Sequence, residues 1–362
     1  MESMLSTKAF EQWLDEQSKI IVRYRQVEKS ELLAEYNNLK SVVESEDFQT
    51  KKKELTTTQY ADTEEGKVMA KYNALKWKKE VMLAQWLKMA KYNELPEVVE
   101  YLELQKQIET PAFKEANAFW KNPKRWFTTP ESQQEKRFNA LAKHSDILFY
   151  QAHTEAEVAE LESYKMAWSE EFDSNQMGAV WQTGFLYSNA ALQANHSHVN
   201  EQQAYTRGNN TQVGNSVMVL QTKKEKTTAP AWHPTKGMLM HPFAYTSDVW
   251  HTAQAVAPKA GVLQAKVACK GAAKHVLCLT KGNAPKALHI LNNEQLLKGY
   301  AIYTLVWNEK EVITYINNKE VGRSANPFAG EALHVLLRSY LPENQTANAG
   351  KLIIDWIRIY SK

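Results

Sequence analysis

The sequence predicts a multidomain α and β chain: an all-α helical domain over residues 1–165, then an antiparallel β-sandwich over residues 166–362. Three observations predict it. From residue 8 to about 164 apolar side chains recur every three or four positions, and after Trp168 they fall into short β-rich runs. Those runs also stand too close together for crossover helices between them, which favours antiparallel pairing.

In the first half, Phe10, Trp13, Ile20, Tyr24 and Val27 share a helical face, and after a phase shift Leu32, Tyr36, Leu39 and Val43 share another. A further helical pattern runs from Val68 to Met89 and is expected to end near Leu95-Pro96. Ser45, Thr110 and Thr129 are expected N-caps, the last two followed by Pro at the first helical position. EYNNL, KYNAL and KYNEL, at residues 35–39, 71–75 and 91–95, leave a helical-hairpin duplication open beside coincidence, and their YNxL pattern reads as packing.

In the second half the runs VWQTGFLY, SVMVLQTKK, GVLQAKVACK, KHVLCLT, AIYTLVWN, EVITYINN, LHVLLRSYL and KLIIDWIRIY read as strands between Gly, Asn, Pro or charged turns. Asn317-Asn318 suits a hairpin turn. Strict alternation in KLIIDWIRIY puts Leu352, Ile354, Trp356, Arg358 and Tyr360 on one face and Ile353, Asp355, Ile357 and Ile359 on the other. Asp355 is either a metal ligand or the partner of a neighbouring group.

With 362 residues, 43% of them hydrophobic, the chain can bury more than one core. It carries no apolar run long enough for a membrane span and no export signal, so a cytoplasmic location is expected for the chain as given. Cys269 and Cys278 form neither a disulfide framework nor a CxxC motif and read as two thiols, with a cross-strand bridge left open. Residues 1–165 hold 25 basic and 28 acidic side chains and residues 166–362 hold 19 and 13, so the halves carry −3 and +6. Neither charge is large enough to imply a nucleic-acid partner.

NEQQAYT at 200–206 and APAWHPTKGM at 229–238 mix flat aromatics with polar groups, as a sugar site does by stacking on the ring and bonding its hydroxyls. With Trp181 they make Glu201, Gln203, Tyr205, Trp232 and His233 candidate ligand-binding residues.

Taken together, FDSN, VWQTGF, NEQQAYTRGNN, AWHPTKG, YTSDVWHT, GVLQAKVACKG and IIDWIRIY resemble the laminarinase-like glycoside hydrolases of family sixteen, over roughly residues 168–362. A helical half before such a domain is similar to uncharacterised bacterial relatives. The resemblance implies a concanavalin A-like β-jelly roll with a groove across one sheet, and retaining hydrolysis of β-linked glucans or galactans. It implies no required cofactor, and it leaves calcium held away from the groove open, with Asp355 at a matching acidic position.

Enzymes of that family carry E-x-D-x-x-E, since one carboxylate must attack and another must protonate the leaving oxygen about 5 Å away. In PKALHILNNE, at 285–294, the resemblance places Ala287 at the nucleophile, His289 at the supporting aspartate and Asn292 at the acid/base. Neither Ala nor Asn can do that chemistry. From Val249 to Asn293 there is no Asp or Glu at all. By strand alternation Leu288 and Ile290 point one way and Ala287, His289 and Leu291 the other. The same alignment puts Lys274 and Cys278 where relatives keep groove aromatics, which adds Lys274 and His289 to the candidate ligand-binding residues.

The expectation is a noncatalytic, glycosidase-like protein, a pseudoenzyme that binds a polysaccharide or oligosaccharide or serves as a scaffold, with a protein partner through the helical domain left open. Two alternatives stand beside it: an active glycoside hydrolase with carboxylates relocated to Glu201, Asp248 or Glu294, and a structural assembly protein.

Overall fold

The computed structural model describes residues 4–86, 94–186, 196–281, 286–291, 293–343 and 349–362. By contacts the chain divides into two compact units, one of Met1–Ile21 with Glu155–Lys362 and the other of Val22–Thr154.

The helices are α1 (Thr7–Glu28), α2 (Glu31–Val43), α3 (Glu46–Thr57), α4 (Glu64–Trp86), α5 (Pro96–Glu109), α6 (Pro111–Lys121), α7 (Pro130–Leu141), α8 (Ser145–Ala152) and α9 (Glu155–Ser163). The expected caps form: the hydroxyls of Ser45, Thr110 and Thr129 accept from the backbone amides of Phe48, Phe113 and Ser132, satisfying donors the first turn leaves free. The phase shift after Val27 is the break between α1 and α2, where Ser30 caps α2. Residues 87–93, before the expected helix end near Leu95-Pro96, lie outside the described residues, and Pro96 opens α5 with Leu95 as its N-cap.

Val27, Leu33, Tyr36, Leu141 and Ile147 form one helical core, and Val43, Phe48, Leu55 and Trp126 another. In two of the YNxL segments the tyrosine is a packing residue: Tyr36 stacks on Phe138 at 5.4 Å and Tyr72 on Tyr101 at 5.2 Å.

The strands are β1 (Lys165–Glu170), β2 (Trp181–Thr183), β3 (Ser197–His198), β4 (Gln203–Tyr205), β5 (Thr211–Gly214), β6 (Val217–Gln221), β7 (Lys223–His233), β8 (Gly237–Ser247), β9 (Val249–Thr252), β10 (Gly261–Gly271), β11 (Lys274–Thr280), β12 (Leu288–His289), β13 (Tyr300–Trp307), β14 (Glu311–Ile316), β15 (Lys319–Ala325), β16 (His334–Tyr340) and β17 (Gly350–Ser361). An eight-stranded sheet runs β15-β14-β13-β10-β17-β6-β5, with β1 also on β17, and a five-stranded sheet runs β12-β11-β16-β9-β2. The antiparallel hairpin β7-β8, flanked by β3 and β4 in parallel, makes a third sheet.

The first two sheets enclose the main core. Leu263, Ala265, Val267, Leu305, Leu352, Ile354, Ile357 and Ile359 come from one, and Leu277, Leu279, Leu288, Val335 and Leu337 from the other. Phe10 of α1 packs with Ile302 and Trp356 on the opposite face of the eight-stranded sheet. Asn317 and Asn318 turn β14 into β15 with positive φ of 44° and 69°, as a two-residue hairpin demands.

Two strand readings need correction. In β17 the register slips between Ile354 and Trp356, so Asp355 is an extra residue and the faces exchange: Ile357 and Ile359 join Leu352 and Ile354 in the core, while Trp356 turns away from it. After His289, Leu291 enters the core and does not share the His289 face. Asn293 explains the change, because its side chain takes over the edge of β11, accepting from the His275 amide at 2.7 Å and donating to the His275 carbonyl at 2.8 Å.

His275 itself is 1% exposed, with Nδ1 2.8 Å from Ser339 Oγ. Burial pushes its pKa down to about 4. The folded pKa lies below the unfolded one, so its stabilising contribution is complete above pH 6.5 and is lost as pH falls from there toward 4. Urea unfolding is expected to show a wild-type stability loss between pH 7 and pH 5 that is about 2 kcal/mol smaller in His275→Gln.

Candidate functional site

The face of the five-stranded sheet turned away from the core is where a groove across the sheet would lie. Pairing assigns its residues row by row. Lys274 stands beside Tyr340, and Val276 beside Arg338 and Val249. His289, Cys278, Leu336, His251 and Gln182 form the next row, and Thr280 and His334 the last. None of these positions is an Asp or Glu.

The face is largely filled. Phe185, Tyr205, Val249, Val276, Cys278 and Leu336 make a second buried apolar cluster, with Ala287 and Tyr340 packed against it. Ala287 is thus part of a hydrophobic contact, while His289 projects as an exposed side chain. Partial desolvation and then repulsion by Arg338 lower the His289 pKa, which favours the neutral imidazole. Asn292 lies outside the described residues.

Glu201 reaches this face from the segment before β4. Glu201 Oε1 accepts from Arg338 at 3.0 Å, and Glu201 Oε2 accepts from Tyr205 Oη at 3.1 Å and Gln203 Nε2 at 2.5 Å. Arg338 also donates to Tyr205 Oη at 3.1 Å and lies 4.3 Å from the Tyr340 ring centre. Burial disfavours the guanidinium, but the Tyr205 and Glu201 oxygens outweigh it and hold the Arg338 pKa above its ordinary value. Gln203 Oε1 accepts from the Leu341 amide at 2.7 Å and Gln202 Nε2 donates to the Pro342 carbonyl at 2.7 Å, which fastens the segment to the end of β16.

Sequence reasoning brought Glu201, Gln203 and Tyr205 together, and they meet here as a bonded, buried network. It missed Arg338, whose signal was a single cation inside the apolar run LHVLLRSYL.

The other candidates are dispersed. Trp181 is 5% exposed within the main core and donates to Glu170 Oε2 at 2.9 Å, because its strand turns it inward. Trp232 sits on β7, paired with Met238 in the third sheet, and His233 Nδ1 accepts from the amides of Thr235 and Lys236 in the hairpin turn. Lys274 and His289 instead border a recess of ≈ 630 Å³ along β12, whose lining includes Ala287, Asn293, Glu294, Tyr340 and, from the β14-β15 hairpin, Thr314, Arg323 and Ser324.

The candidate relocated carboxylates have different surroundings. Asp248 is buried and accepts from Thr206 Oγ1, Thr211 Oγ1 and the amides of Gly208 and Asn210, all within 3.1 Å, which pins the loop before β5. Glu294 lines the recess, while Glu201 is held by Arg338. Asp355 does not fit a calcium ion, since Lys266 Nζ lies 2.8 Å from both its carboxylate and Glu11, in the place a cation would take. Among the described residues, no group of three or more His, Cys, Asp or Glu is arranged to hold a metal. Both cysteines are free thiols whose pKa burial raises to about 12.

Fold and site define a chain of helices followed by an antiparallel β-sandwich with a carboxylate-poor outer sheet face. No family model matches the chain, and no curated protein does. Solved structures similar to it include the catalytic domain of an endo-1,3-beta-glucanase (laminarinase) from Thermotoga petrophila RKU-1, at 16% identity and TM-score 0.41, over 55% of this chain and 98% of that one. The laminarinase from Rhodothermus marinus is similar at 16% identity and TM-score 0.39, over 54% and 97%. The kappa-carrageenase from Pseudoalteromonas carrageenovora, in complex with an oligotetrasaccharide of kappa-carrageenan, is similar at 12% identity and TM-score 0.40, over 54% and 94%. Among the described residues no helix is long and apolar enough to cross a membrane.

The Arg338 network sets a stability expectation. Glu201→Gln strands a largely buried cation and Arg338→Met strands a buried anion, so each is expected to cost about 2–3 kcal/mol in chemical denaturation. The double variant is expected to cost less than the sum of the two, by about 1–2 kcal/mol.

Proposed function

We propose that the sandwich is a noncatalytic, glycosidase-like module that contacts a neutral oligosaccharide through the recess along β12. The observation that carries this reading is the outer face of the five-stranded sheet: its strand positions carry no carboxylate, and the Glu201 that reaches it is tied to Arg338. Retaining hydrolysis needs two carboxylates about 5 Å apart, one ionised and one protonated. Both oxygens of Glu201 are already engaged, one by Arg338 and the other by Tyr205 and Gln203.

Recognition needs less than catalysis. Tyr340 offers an aromatic ring at the recess, and Lys274, His289, Asn293 and Ser324 offer hydrogen-bonding groups around it. A ring under an apolar sugar face, with polar groups at its rim, is the chemistry of sugar binding without bond cleavage.

Incubation with laminarin, mixed-linkage β-glucan and a β-galactan is expected to release no new reducing ends, and Ala287→Glu is expected to remain inactive because an acid/base is still lacking. Calorimetric titration with laminari-oligosaccharides or galactan oligosaccharides is expected to show saturable binding, weakened about tenfold by Tyr340→Ala. Turnover abolished by Glu201→Gln in a folded protein would reverse the reading in favour of a relocated active site. Absence of binding across both glycan series would leave the scaffold role in its place.

A further inference from the structure

At the end of the eight-stranded sheet another hollow, of ≈ 470 Å³, is lined by Lys223, Lys224, Lys270 and Lys351. No Asp or Glu lines it. Register explains how the charges meet. Lys270 of β10 is directly opposite Lys351 of β17, which is directly opposite Gln221 of β6, so the two lysines share a face on adjacent strands. Lys223 and Lys224 follow at the start of β7, and Lys223 Nζ donates to the Asn209 carbonyl at 3.1 Å.

Like charges directly opposite each other across a ladder destabilise a sheet. A solvated lysine face is commonly interleaved with acids, as Arg323 is with Glu311 and Glu320 in the β14-β15 hairpin. Here none of the four lysines has an ion-pair partner among the described residues, and Glu225, beside them in sequence, is engaged as an acceptor from Thr246 Oγ1.

Gly271 and Gly350 also line the hollow. Gly271 has φ of +83°, and a Cβ there would lie 2.1 Å from the Ala349 carbonyl oxygen. A Cβ on Gly350 would lie 2.5 Å from that of Ala273. The backbone is thus tightly packed at both glycines, and the four lysines border the hollow beside them as a cationic cradle.

We propose that this cradle binds a compact polyvalent oxyanion, a phosphate or sulfate group, either free or carried on a sugar. Such a group is small enough for the hollow, and its charge relieves the repulsion between Lys270 and Lys351 while the exposed ends of Lys224 and Lys351 adjust around it.

The test is calorimetric titration of the full chain with inorganic phosphate, inorganic sulfate and glucose 6-phosphate at low ionic strength and at about 150 mM salt. At least one is expected to bind saturably at low salt, with affinity reduced about tenfold in K270M and further in K270M/K351M. Equal affinity for free and esterified phosphate assigns the cradle to the ion, and tighter binding of the ester assigns it to the carried group. In anion-free buffer Lys351→Met is expected to melt no lower than the wild type, because it removes the cross-strand repulsion. Should the double variant fail to fold, the exposed Lys224→Met is expected to weaken binding severalfold. No saturable binding of any of the three anions, or binding unchanged in K224M and in folded lysine variants, overturns the proposal.

Discussion

A guanidinium in the middle of a strand face, surrounded by apolar side chains, needs a carboxylate within reach, and Arg338 imposes that requirement on the outer face of the five-stranded sheet. The five strands offer no carboxylate there, so the partner comes from outside the sheet. Bringing Glu201 to Arg338 draws residues 201–205 over the end of β16, where Gln202 and Gln203 bond the backbone of residues 341–342. That same segment becomes β4, beside β8, so one ion pair helps join the third sheet to the second.

The chemistry of the face follows from this arrangement. Tyr205, with its hydroxyl between Glu201 and Arg338, is buried in this face, and Phe185 meets it edge-on at 5.5 Å. What remains open lies to the side, between β12 and the β14-β15 hairpin, where the two sheets have their edges.

Much of the fold was legible because it rests on local rules. Hydroxyl caps before Phe48, Phe113 and Ser132, and the Asn317-Asn318 turn, depend on a few neighbouring residues. The faces of β17 were not legible beyond Ile354, since a bulge at Asp355 is a tertiary accommodation that alternation does not encode. Of the site, the contact among Glu201, Gln203 and Tyr205 was visible as a short polar-aromatic motif. The inward turn of Trp181 and the partnership of Arg338 with a residue 137 positions earlier were not, because both are fixed by strand pairing.

The thiols carry a further consequence. Cys269 belongs to the eight-stranded sheet and Cys278 to the five-stranded sheet, and with pKa values near 12 neither is appreciably a thiolate at neutral pH. Cys278 is buried, so its alkylation waits for the five-stranded sheet to open, whereas Cys269 is only partly covered. The chain thus contains two built-in clocks, one in each layer, whose rates of modification report on the two sheets separately.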